Sequence, residues 1–121
     1  MIDLFHNHFE GIIKPTWNFS GRLTTENDHY SNAALGLVSE AGEAGDIVKK
    51  MLYHTDKPGL FTMMRAKLIL ELGDILYYMM VLMDLFSITW EEVVDGNRAK
   101  LESRHPELGK VDERFNGSHI R

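Results

Sequence analysis

The chain has 121 residues, a formal net charge of −5 and a sequence pI near 5.6, and it contains no cysteine. That length fits one domain that can bury its own core. The acidic balance argues against a broad electrostatic grip on nucleic acid, and the missing cysteines exclude disulfides, thiolate zinc sites and a cysteine nucleophile.

The opening MIDLFHNHFEG has no basic n-region and no long apolar stretch, so it does not read as a signal peptide. The longest apolar run, residues 75–83, is too short to span a bilayer. The expectation is a soluble cytoplasmic protein that binds neither nucleic acid nor membrane.

In chain order, residues 1–10 are predicted to form a short helix with Asp3 as N-cap. Residues 11–25, with Gly11, Pro15, Ser20 and Gly21, read as loop. A long helix then runs from residue 26 or 28 to residue 54. Its apolar positions Ala34, Val38, Ala41, Gly45, Val48 and Leu52 recur at steps of three and four. Pro58 and Gly59 in TDKPG end it. A second long helix covers residues 61–86, with Leu68, Leu72, Ile75, Met79, Leu82 and Met83 in helical period. Thr89 and Glu92 spell a capping box for a third helix over residues 90–104, which stops before Pro106. Residues 107–121 form a polar tail, and no segment alternates as a strand should. The fold class is all-α, an antiparallel helical bundle in one domain over residues 1–121. Its wide apolar faces, with seven methionines in the chain, predict a homodimer or homotetramer.

Two acidic pairs stand out: Glu40 and Glu43 in SEAGE, and Glu71 and Asp74 in ELGD. Three residues along a helix leave two side chains about 60° apart, so each pair shares a face. Gly36, Ile47, Lys50 and His54 fall on the stripe of the first pair, and Lys49 points roughly the opposite way. A single E-x-x-E pair is commonplace on a solvated helix face. Here each pair adjoins a strongly apolar stretch, and neither Glu40 nor Glu71 has a lysine at i+4, where Ala44 and Ile75 stand. If the two helices pack antiparallel, four carboxylates converge, at a cost that a cation relieves. Oxygen ligands without thiolate suit Mg²⁺ first and Mn²⁺ second. A di-iron bundle would want Glu-x-x-His, and neither pair has the histidine.

Magnesium held by carboxylates commonly serves a phosphate substrate. Lys50, Lys100 and Arg104 are the cationic candidates, and Asn97, Lys100 and Arg104 form one polar stripe on the third helix. The chain has no P-loop motif. Asp46 lies off the Glu40 stripe and is read as solvated or bound to a backbone donor, a secondary ligand candidate. Trp17, Tyr53, Tyr77 and Tyr78 are read as core or interface, and the methionines as packing. His54 is read equally as a helix-end residue and as a substrate contact.

The blocks AALGLVSEAGE, IVKKMLYH, ELGDILYY and NRAKLESRHP, in this order across residues 33–106, resemble the MazG-like all-α nucleoside triphosphate pyrophosphohydrolases. The resemblance implies Mg²⁺ ligation by Glu40, Glu43, Glu71 and Asp74, with Glu40 or Glu43 as general base. It implies substrate contacts from Lys50, Asn97, Lys100 and Arg104, and release of pyrophosphate and a nucleoside monophosphate. Ser39 replaces the first glutamate of the family's E-E-x-x-E, and Tyr77 stands where relatives often carry tryptophan. The competing reading is a catalytically silent helical module that binds nucleotide or protein, for which Ser39 speaks.

Overall fold

The computed structural model describes residues 2–53 and 57–110, and every regular element among them is helical. It divides into two compact units, residues 1–87 and residues 88–121.

The first unit opens with helix α1 (Ile2–His8), which continues without a break through a π-helical stretch (Phe9–Ile13) into a last α turn (Lys14–Thr16). Asp3 lies inside its first turn, where its charge suits the helix dipole, rather than at the cap. The helix thus overruns the expected boundary near residue 10. Gly11 and Pro15 lower helix propensity, but Ile13 is fully buried, and the π stretch packs against the second long helix. Tertiary packing overrides propensity here. Pro15 stands in the last α turn, one residue before the helix ends at Thr16. The Thr16 hydroxyl donates back to the carbonyls of Ile12 (2.8 Å) and Ile13 (2.9 Å), and Trp17 leaves in an extended conformation.

The loop that follows is tied by its own side chains. Asn18 adopts a left-handed φ of 55°, and its amide both donates to the Leu23 carbonyl and accepts from the Leu23 N–H, each at 2.9 Å. Thr25 and Asp28 then form a reciprocal cap. The Thr25 hydroxyl accepts from the Asp28 N–H, while the Asp28 carboxylate accepts from the N–H groups of Thr24 and Thr25. Those backbone donors hold the Asp28 carboxyl below its ordinary range.

Helix α2 (Glu26–Tyr53) and helix α3 (Leu60–Leu85) form an antiparallel hairpin. The pairing shows in the contacts. Tyr30 stacks on Phe86 at 4.8 Å between centroids, Gly36 meets Tyr78, and Ile47 packs with Leu60 and Met64, so residue numbers rise on one helix as they fall on the other. Gly59 takes the left-handed conformation (φ 75°) that starts α3. Residue 54, expected on α2, lies outside the described residues.

The buried face of α2 is one residue out of phase with the expected one. Ala33, Ala44 and Ile47 are buried, with Leu37, Glu40 and Met51 beside them. Val38, Val48 and Leu52 are exposed, at 70%, 40% and 65%. α2 is rich in small apolar residues on every side, so both registers keep helical period. The register that packs contains Glu40, and a charge on the seam is what made it look like the outer face. On α3, Met83 is buried and Leu68, Ile75, Met79 and Leu82 are partly so, as the periodicity requires, whereas Leu72 is exposed.

In the second unit, helix α4 (Trp90–Arg104) begins at the expected capping box. The Thr89 hydroxyl accepts from the Glu92 N–H, and the Glu92 carboxylate accepts from the Thr89 N–H, both at 3.1 Å. The helix ends at His105. Part of the expected tail is ordered as a 3₁₀ segment (Pro106–Lys110), and residues 111–121 lie outside the described residues.

Candidate metal centre

The antiparallel register sets Glu40 of α2 against Glu71 and Asp74 of α3. One carboxylate oxygen from each lies within 4.8 Å of the others. Glu71 and Asp74 are one turn apart on α3 and so reach the same point on the seam. Glu40 and Glu71 are half-buried and Asp74 is exposed, giving a site with a dry side and a wet side.

The Glu40 carboxyl is held above its ordinary range. The largest cause is a hydrogen bond with Glu71, followed by burial and by the charges of Asp74, Glu71 and Glu43. Two carboxyl groups hydrogen-bond to each other only by holding a proton between them. The second oxygen of Glu71, Oε2, is buried and has no hydrogen-bond partner. An acceptor in that position is costly unless a positive centre meets it. Three carboxylates from two helices, one with an orphaned oxygen, and no thiolate or imidazole among them, fit a hard divalent cation.

Of the four expected ligands, the structure brings three together. Glu43 is exposed and outside the trio, although near enough for its charge to act on Glu40. Glu40 lies on the seam, and Glu43, about 60° round α2 from it, is exposed.

Lys50 is engaged by Asp46, one turn earlier, at 3.0 Å. Its ammonium holds the Asp46 carboxyl below its ordinary range. Asp46 is exposed, as a solvated residue is, and its partner is the Lys50 side chain rather than a backbone donor. Asn97, Lys100 and Arg104 are exposed on α4 and, by their spacing, share one face of it.

Trp17, Tyr77 and Tyr78, expected as core or interface, are half-buried and pack on one another. Tyr78 is half-buried, and its ring sits so close to Gly36 that a Cβ there would collide with it. Burial, then the charges of Glu40, Tyr77 and Asp74, push the Tyr78 hydroxyl above its ordinary range. Tyr77 and Tyr78 meet edge to face at 5.3 Å. The signal was present in ELGDILYY, because Tyr78 stands one turn beyond Asp74. The other ring, Trp17, arrives from the segment expected to be plain loop.

Three carboxylates set across an antiparallel helix pair are an arrangement that can hold a metal ion between facing helices. Residues 29–109 match the family described as the MazG nucleotide pyrophosphohydrolase domain, and the chain belongs to that family. It is also 40% identical over 75 residues to the Gene 37 protein of Mycobacterium phage L5, a match covering 61% of this chain and 64% of the phage protein. The matched region is thus just under two thirds of that relative's length. No solved structure matches the chain. No described helix is long and apolar enough to cross a membrane.

Proposed function

We propose that the protein is a Mg²⁺-dependent hydrolase that converts nucleoside or deoxynucleoside triphosphates to a monophosphate and pyrophosphate. The observation that carries this reading is the convergence of Glu40, Glu71 and Asp74 on the α2–α3 seam, with Glu71 Oε2 buried and unpartnered, in a chain of this family.

Glu40, Glu71 and Asp74 would hold the cation, with Glu43 at the rim as a fourth carboxylate. When bound, such a cation supplies Lewis acidity toward phosphate oxygens. Glu43 lies outside the trio, so its lone pairs are free to take a proton from the attacking water, and it is the better general base of the two candidates. Lys50 would exchange Asp46 for a substrate phosphate. That exchange is inexpensive, because an exposed ion pair contributes only about 0–1 kcal/mol. Asn97, Lys100 and Arg104 form an exposed polar face of α4 whose chemistry suits phosphate oxygens, and Arg104 can grip two oxygens at once.

We also propose a homodimer or homotetramer. Leu35, Val38, Leu52, Tyr53, Phe61 and Leu70 are each at least 65% exposed, a large apolar surface for one small chain.

The test is a pyrophosphate-release screen over the standard and modified NTPs and dNTPs, with and without Mg²⁺. Metal-dependent release is expected for at least one substrate. Tight nucleotide binding without release would favour the silent binding module instead.

A further inference from the structure

We propose that the hydrogen bond between Trp17 and His29 is a pH-sensitive latch, which holds residues 16–23 as one wall of an open cleft and releases that wall in mild acid. The cleft measures about 470 Å³, and residues 16–20, 22 and 23 line it together with Asn32, Tyr77 and Tyr78. Trp17 Nε1 donates to His29 Nδ1 at 2.9 Å, and both residues are half-buried. An indole N–H only donates, so this bond requires a lone pair on Nδ1, and therefore a neutral imidazole with its proton on Nε2. An imidazolium donates from both nitrogens and offers Trp17 no acceptor. Imidazole is also the side chain that changes charge between about pH 5 and pH 8.

The groups around His29 leave the change of charge to its own ring. On α2, Glu26 stands one turn earlier, and the carboxylate of neighbouring Asp28 is spent on the N–H groups of Thr24 and Thr25. From the N-terminal segment the Trp17 ring lies over the imidazole, at 6.1 Å between centroids, while Lys14 and Glu10 pair with each other. From α3, Tyr77 and Tyr78 meet the same Trp17 ring, each at 6.3 Å. Burial first, then the charges of Glu40, Tyr77 and Asp74, hold the Tyr78 hydroxyl above its ordinary range, so it stays neutral throughout this window. Arg22 lines the cleft with a charge that pH does not change. Among the described residues His29 makes no ion pair, so no carboxylate waits to hold the imidazolium in place.

The rest of the wall is built to move as a unit. Asn18 spends both amide atoms on Leu23, a clasp that lies within the wall and keeps its shape. The Thr16 hydroxyl shares a 2.9 Å hydrogen bond with the Tyr77 hydroxyl, which ties the end nearest the helix to α3. Trp17 itself leaves that helix in an extended conformation, and its indole N–H is tied to α2 through His29. Once the imidazole takes a proton, two donors face each other in a half-buried place, and both recover an acceptor by turning to water. The bond is therefore present at the upper end of the window and lost as pH falls. One proton drives the change, so the ratio of unlatched to latched molecules rises at most tenfold for each unit of pH. The latch stands apart from the reading of the carboxylate trio, and holds whether or not the chain hydrolyses triphosphates.

NMR of the full ¹⁵N-labelled chain reads the bond itself, as a nitrogen–nitrogen coupling from Trp17 Nε1 to His29 Nδ1. The cross-peak is expected at about pH 8 and should vanish by about pH 5, with far-UV circular dichroism unchanged. Over the same window, acrylamide quenching of Trp17 fluorescence in a Trp90→Phe background should rise, with the slope of a single proton. His29→Gln supplies an amide oxygen that accepts at every pH, so its Trp17 should stay shielded from quencher throughout. His29→Phe removes the acceptor, so its Trp17 should be quenched at pH 8 as strongly as that of the parent at pH 5. A cross-peak absent at pH 8 or persistent at pH 5 overturns the latch, and so does quenching that stays level. A pH response that survives in His29→Gln assigns the titration to another group and overturns it too, as does loss of helical signal together with the cross-peak. If the His29 variants do not fold, the cross-peak in the unmutated chain decides alone.

Discussion

Replacing Glu71 by glutamine removes one charge from the trio without changing its shape. In the metal-free protein, Glu71 leaves one oxygen buried and unpartnered beside two other carboxylates. Glutamine ends that repulsion, and its amide can donate to Glu40, so the metal-free variant should melt at or above the wild-type temperature. The metal response should move the other way. A ligand present at a hundredfold excess over Kd stabilises the native state by about 2.7 kcal/mol. Unfolding entropy runs at about 2.1 cal/mol/K per residue, which for 121 residues is about 0.25 kcal/mol/K, so saturating Mg²⁺ should raise the wild-type Tm by about 10 °C. If losing an anionic ligand weakens binding about a hundredfold, the same Mg²⁺ concentration stabilises the variant by only about 0.4 kcal/mol, or about 2 °C. Circular dichroism melts across a Mg²⁺ titration, with ionic strength held constant by NaCl, measure both numbers. An identical Mg²⁺ shift in wild type and Glu71→Gln would refute the argument that this oxygen belongs to a metal site.

Glu40 makes metal-free stability depend on pH. Its folded-state carboxyl lies above 4.5, so its contribution is complete below about pH 4.5 and is lost as pH rises through the raised folded value. As pH rises through that raised value, the metal-free wild type should therefore lose more Tm than Glu40→Gln, and equal losses would count against the raised Glu40 carboxyl. Gly36→Ala drives a methyl into the Tyr78 ring and should cost about 1–3 kcal/mol in chemical denaturation, whereas Gly42→Ala, with open space around it, should not destabilise. Lys50→Ala should lower kcat/KM about tenfold or more, because a lost charged hydrogen bond is worth about 1.5–3 kcal/mol, while Lys49→Ala should be near neutral. Equal losses in the two would show that helical phase does not decide the role. Thr89→Ala removes the capping box of α4 and should lower stability by about 1 kcal/mol without altering the Mg²⁺ shift.

The strong local signals were legible in the sequence. Trp90–Arg104 has the expected bounds because a capping box and a proline frame it. The long helices were legible to within a residue or so wherever they are described, since Gly59 and the Thr25–Asp28 cap are local devices. The register of α2 was not, because Ala, Gly and Val cover several of its faces and the deciding contact is Glu40 against α3. The trio follows from that register, which is why pairwise spacing put Glu43 on a par with Glu40. The N-terminal wall was invisible for a related reason. Ile13 and Trp17 owe their places to contacts across the fold, and Gly11 and Pro15 argue locally for a loop. The Asp46–Lys50 pair, by contrast, is a plain i,i+4 spacing that attention to the acidic pairs passed over.

Hydrolysis of a nucleoside triphosphate in ¹⁸O-water, quenched early and followed by ³¹P NMR and mass spectrometry, tests the central claim most directly. Water attack at the α-phosphorus places the label in the monophosphate and leaves pyrophosphate unlabelled, and this product pattern should require Mg²⁺ and vanish in Glu71→Gln. Orthophosphate and a nucleoside diphosphate as first products, or label in the pyrophosphate, would contradict it.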